Sequence, residues 1–187
     1  MIKLELHFRF FKYISIILHI FILTIVSCAI PKDDGYPYIT VFYYPGHFEP
    51  SLPFTYSKLE EAAKNSIVTD TIDIKPSLYQ SIEDNMKRIT VLSTDAQCLD
   101  TRMLIQLDSI CVCVSCFNDV VSSDSTQVSF SPETIYEIKT VTGYYNTFDI
   151  QELQYDSLIQ QYGIPNNYQI TNEDIPYRKI FVKKGLE

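Results

Sequence analysis

The reactive side chains of this sequence are few and unevenly spread. Cys98, Cys111, Cys113 and Cys116 fall close together. A Cys-x-Cys-x-x-Cys run with one cysteine upstream carries enough thiolate for a tetrahedral metal centre. The spacing departs from paired Cys-x-x-Cys knuckles, however, and the run sits among β-branched residues. Read as a strand, it sends Cys111 and Cys113 to one face and Val112 and Val114 to the other. Buried thiols, or one disulfide in an oxidising compartment, therefore rank ahead of metal, and no cofactor is expected. Four cysteines leave three pairings open.

Acid–base chemistry has little to work with. Of three histidines, His7 and His19 lie in the first 28 residues, which leaves His47 in the Pro45-Gly46-His47-Phe48-Glu49-Pro50 turn. No Gly-x-Ser-x-Gly elbow, His-Glu-x-x-His pair or phosphate-cradling glycine loop is present, and five glycines are too scattered to supply one. The adjacent carboxylates Glu60-Glu61, Glu83-Asp84 and Glu173-Asp174 sit in polar surroundings and read as solvated faces. No catalytic residue is assigned.

Tyrosine is abundant instead, with 14 in the chain, including the pairs Tyr43-Tyr44 and Tyr144-Tyr145. A ring with a polar tip suits an interface as well as a sheet. Tyr144, Tyr145 and Asn146 follow Gly143, a helix terminator, and are expected in an exposed loop. Together with Asn166, Asn167 and Tyr168, which follow Pro165, they form the expected binding surface.

The first 28 residues differ from the rest. Lys3, Arg9 and Lys12 precede an apolar run from Tyr13 to Val26, closed by Ile25-Val26-Ser27-Cys28. A basic start, a short apolar stretch and small residues at a cut site describe a secretory signal. As a helix the run spans about 21 Å, short of the roughly 30 Å hydrocarbon core. Its end resembles the lipobox of bacterial lipoproteins. That resemblance implies that Cys28 is diacylated, palmitate included, and begins the mature chain, so that two acyl chains hold it to the membrane. Ala29 does not resemble the Asp that retains some lipoproteins at an inner membrane, and Lys32-Asp33-Asp34 resembles the acidic patch of surface-displayed ones. The expected address is the cell envelope, with the outer membrane favoured and the leaflet open.

The sequence thus divides into a signal (1–27), a lipidated cysteine and tether (28–36) and a domain (37–187). Removing the signal changes the formal charge from −8 to −10, as 12 Lys+Arg face 22 Asp+Glu. That balance argues against nucleic acid as a partner. The elements needed to hold the reactive residues are legible by period and punctuation. Tyr38–Tyr44, Thr71–Lys75, Met103–Leu107, Ile110–Phe117, Val128–Phe130 and Tyr177–Val182 read as strands, with Asp108-Ser109 a hairpin turn or part of one long strand. Helices are expected from Ser57, where Ser57-Lys58-Leu59-Glu60 fits a capping box, and from Ser77 to Ile89. Two more follow, from Ser131-Pro132 to Gly143 and from Asp149 to Tyr162. This irregular mixture predicts a single α+β domain, a mainly antiparallel sheet with helices packed on one face. The combination points to a lipid-anchored, non-enzymatic module that binds a protein or glycan, an immunity or inhibitor protein being one form. The alternative is a carboxylate-based envelope hydrolase assisted by His47.

Overall fold

Alternation of apolar side chains along the strands fixes the architecture. In a computed structural model, residues 37–44, 52–65, 69–89, 91–93, 98, 100–122, 127–128, 130–170 and 177–186 are described. Cys28, the tether, His47, Ile67, Glu173 and Asp174 lie outside them.

Eight strands form one sheet: β1 (Tyr38–Tyr43), β2 (Thr69–Ile74), β3 (Val91–Ser93), β4 (Thr101–Leu107), β5 (Ile110–Ser115), β6 (Val120–Ser122), β7 (Gln127–Val128) and β8 (Arg178–Lys184). Their order is β2-β8-β1-β4-β5-β6-β7-β3. Every pairing is antiparallel except β2 with β8. Asp108, in the left-handed region at φ 52°, makes β4 and β5 a hairpin rather than one strand.

On one face Ile39, Val41 and Tyr43 of β1 join Met103, Ile105, Val112, Val114, Ile180 and Val182 in the main core. Four helices cover that face: α2 (Pro76–Lys87), α3 (Pro132–Val141), α4 (Ile150–Leu153) and α5 (Ser157–Tyr162). On the other face α1 (Tyr56–Asn65) lays Leu59 and Ala63 over Phe42, Tyr44, Leu104, Cys111 and Cys113. The α+β class and mainly antiparallel sheet are as expected, but helices lie on both faces. The chain passes to the second face through Phe54, whose amide and carbonyl are tied to the Asp100 side chain and the Thr101 amide.

Local punctuation decides where the helices run. Ser131 caps α3, accepting from the Thr134 amide, with Pro132 at the first turn. Gly143, at φ 73°, turns the chain out after α3. The capping box expected at Ser57 is displaced: α1 begins at Tyr56, and Thr55 Oγ1 accepts from the Lys58 amide at 3.4 Å. Likewise α2 begins at Pro76, ahead of Ser77. The helix expected from Asp149 to Tyr162 is two. Asp149 caps α4 in a full capping box, then Asp156 accepts from the Leu158 and Ile159 amides and starts α5. A second strong cap inside the run breaks it. Pro37–Glu187 forms one compact unit.

Candidate functional site

Helices α2 and α3 are joined by a polar clasp. The hydroxyls of Ser81 and Thr134 lie 3.0 Å apart. Asn85 donates to the Ser81 carbonyl at 2.8 Å and accepts from the Ser131 amide at 3.2 Å. Beside the clasp the surface opens into a groove of about 1080 Å³. Asp73 of β2 and Lys75 stand at one side, and Glu133, Glu137 and Thr140 of α3 at the other. Glu133 and Glu137 are one helical turn apart and so share a face. Burial, and then the neighbouring Glu133 charge, push the Glu137 carboxyl above its usual range, while Lys75 opposes them.

The loop after α5 closes the end of the groove. Tyr136 donates its hydroxyl proton to the Gly163 carbonyl at 3.1 Å, and Asn167 donates to the Thr140 carbonyl at 3.4 Å. Asn166 and Asn167, expected in the binding surface, therefore both line this groove. Tyr168 is half-buried rather than displayed, with its hydroxyl donating to the Phe148 carbonyl at 2.6 Å. Asn146 is also half-buried and accepts from the Gln169 amide at 3.3 Å.

Tyr144 and Tyr145 are not interface residues. Both open a 3₁₀ turn (Tyr144–Thr147) that folds back under α3, leaving them 2% and 1% exposed. They pack with each other, Tyr43, Tyr136 and Phe148. Burial pushes both phenols above their usual range. The reason for the burial is a fully buried cation. Lys139 of α3 points inward, donating to Asn118 Oδ1 at 2.5 Å, 3.4 Å from Asp156 Oδ2 and 4.5 Å from the Tyr144 ring centre. Electron-rich ring faces and one carboxylate replace the water this ammonium loses. Desolvation still lowers its pKa.

On the opposite face Cys111 and Cys113 project together, as the alternation of β5 required, under α1. Burial pushes the Cys111 thiol above its usual range, and the Tyr56 hydroxyl beside it opposes that shift. Cys98, half-buried, packs on the same cluster, and the Cys113 thiol beside it draws the Cys98 thiol below its usual range. Cys116 lies in the turn after β5, with its thiol against Asp100. All four are free thiols, and among the described residues no His, Cys, Asp and Glu cluster has metal-ligand geometry.

The remaining acid pairs behave as surface charges. Glu60 pairs with Lys64 at 2.6 Å and Glu83 with Lys87 at 2.7 Å, each one turn along a helix. Sequence reasoning reached Asn166 and Asn167 but missed the helical walls of the groove, where Ser81 and Thr134 meet across 53 positions. The only local trace is that Ser77 and Ser81 repeat at the same helical spacing as Glu133 and Glu137. Set against known proteins, the chain matches no family model, no curated protein and no solved structure.

Proposed function

We propose that this chain is a lipid-anchored binding module of the bacterial cell envelope, whose α2–α3 groove receives a protein or glycan partner. The carrying observation is the meeting of Asn166 and Asn167 with Glu133, Glu137 and Ser81 along one groove. Side-chain amides offer both donors and acceptors, and carboxylates accept from hydroxyl or cationic donors. Such a lining suits the hydroxyls of a sugar or the backbone and basic side chains of a peptide. The net −10 of the mature chain favours a basic protein partner, as an immunity or inhibitor protein would have, and speeds its approach. The lipid on Cys28 supplies the address, holding the domain at the outer membrane.

Two measurements test the reading. Cells fed labelled palmitate should label the wild-type chain and not Cys28→Ala; equal labelling of both ends the anchor. A photo-crosslinking residue at position 167 should capture a discrete envelope partner, and Glu137→Lys should abolish that adduct. The same residue at position 64, on α1, serves as the control. Equal adducts from both positions, or none from 167, would remove the groove as the binding site.

A further inference from the structure

We infer that Cys98 and Cys113 are the redox pair of this domain and are joined as its single disulfide by exchange with a disulfide oxidant. Three of the thiols sit on one face of the sheet, and their surroundings separate them. Cys111 and Cys113 are i and i+2 on β5, so their side chains project in parallel about 6.6 Å apart along the strand, a poor geometry for a bond between them. Cys111 is buried under α1 with Tyr56 packed on the same cluster. Cys116 lies beyond the end of β5, its amide held by the Asp100 carbonyl and its thiol against the Asp100 side chain. Cys98 packs on the same cluster and lies three residues before Thr101, whose register partner is Ser115, so it meets β5 nearer Cys113 than Cys111.

The two partners are also unequal in a way that orders the chemistry. Cys98 is half-buried and open to an incoming oxidant, whereas Cys113 is 2% exposed behind it. The neighbouring Cys113 thiol favours the thiolate of Cys98, while Cys98 beside it and burial hold Cys113 protonated. Cys98 Sγ attacks one sulfur of the oxidant disulfide, and the other sulfur leaves as a thiolate. The leaving thiolate takes up a proton. Cys113 then gives its proton to solvent, attacks Cys98 Sγ and expels the second thiolate, which is protonated in turn. Two protein thiols and one disulfide become one protein disulfide and two thiols. In the envelope the oxidant would be the disulfide of a thiol–disulfide oxidoreductase, and that setting rests on the anchored reading above.

The test is independent of that setting because the oxidant is added. The full chain carrying Cys28→Ser is purified in detergent, reduced, treated with oxidised glutathione, denatured and alkylated. The expected product is lighter by two hydrogens, alkylates at Cys111 and Cys116 only, and yields a peptide linking Cys98 to Cys113. Cys98→Ser should abolish the linked species, while the Cys111→Ser/Cys116→Ser double variant should form it as wild type does. Alkylation of all four cysteines, a stable glutathione adduct on Cys98, or a link through Cys111 or Cys116 would overturn the inference. Palmitate labelling of Cys28 reports separately on the envelope, so either reading can fail without the other.

Discussion

Lys139→Met is the most informative single perturbation of the core. It keeps an unbranched side chain of similar length and removes the ammonium. Asp156, with only 8% of its side chain exposed, then holds a buried carboxylate without its cation. Deleting one partner of a buried pair costs about 3–5 kcal/mol. Asp156 still accepts from the Leu158 and Ile159 amides, so the low end, about 3 kcal/mol, is expected. For a domain of this size that lowers Tm by about 6–12 °C. Asp156→Asn keeps an N-cap but strands the ammonium of Lys139, costing a similar amount near neutral pH. The folded lysine can then release its proton more easily than the unfolded one, whose pKa is ordinary. The unfolded chain therefore binds more protons over the window below about pH 10.4, and the Asp156→Asn deficit should shrink as pH rises toward that value. The double variant buries neither charge, so the two losses should fail to add by about 2–3 kcal/mol. Urea unfolding followed by circular dichroism and tyrosine fluorescence measures all four corners, since the chain has no Trp. Losses that add within about 0.5 kcal/mol, or a Lys139→Met protein as stable as wild type, would refute the buried-pair argument.

Two further outcomes follow from the same core. Burial raises the phenols of Tyr79, Tyr144 and Tyr145, whereas the unfolded chain releases those protons near pH 10. Stability should accordingly fall as pH rises above 10, and absorbance at the tyrosinate band should show the late-ionising phenols appearing only with unfolding; smooth ionisation of every tyrosine in the folded state would contradict it. Gly143→Ala places a Cβ at φ 73°, 3.2 Å from Asn146 Nδ2, and should cost about 1–2 kcal/mol by urea unfolding, with Gly143→Asn milder. An Ala variant as stable as wild type would mean that the α3 terminus does not need the left-handed turn.

What could be read in advance was whatever depends on neighbours in sequence. The two-residue period of β5 put Cys111 with Cys113 and Val112 with Val114, and Ser131-Pro132 to Gly143 bounded α3. Tyr144 and Tyr145 went the other way. A glycine terminator announces the end of a helix, not whether the next residues face water, and here the inward Lys139 gives the two rings a buried partner. Leu59 and Ala63 make a stripe on α1 no different in kind from those of the other helices, yet α1 covers the opposite side of the sheet. Nothing within a stripe records which side receives it. The groove depends on α2 and α3 meeting through Asn85, Ser81 and Thr134, polar residues that look like ordinary surface until they are brought together.

The position of β8 governs when the sheet can be completed. Among the described residues β2 pairs with β8 alone, and β1 has β8 along one whole edge, with Tyr38 opposite Lys183. A nascent chain that has not yet reached β8 therefore has a β2 with nothing to bond to and a β1 open on one side. Closing a loop of that length adds only modestly to the entropy cost, because the penalty grows with the logarithm of length, but pairing so distant in sequence is slow. Most of the polypeptide must be made before β2 acquires its partner and β1 its second one. This topology defers its own completion until β8 arrives.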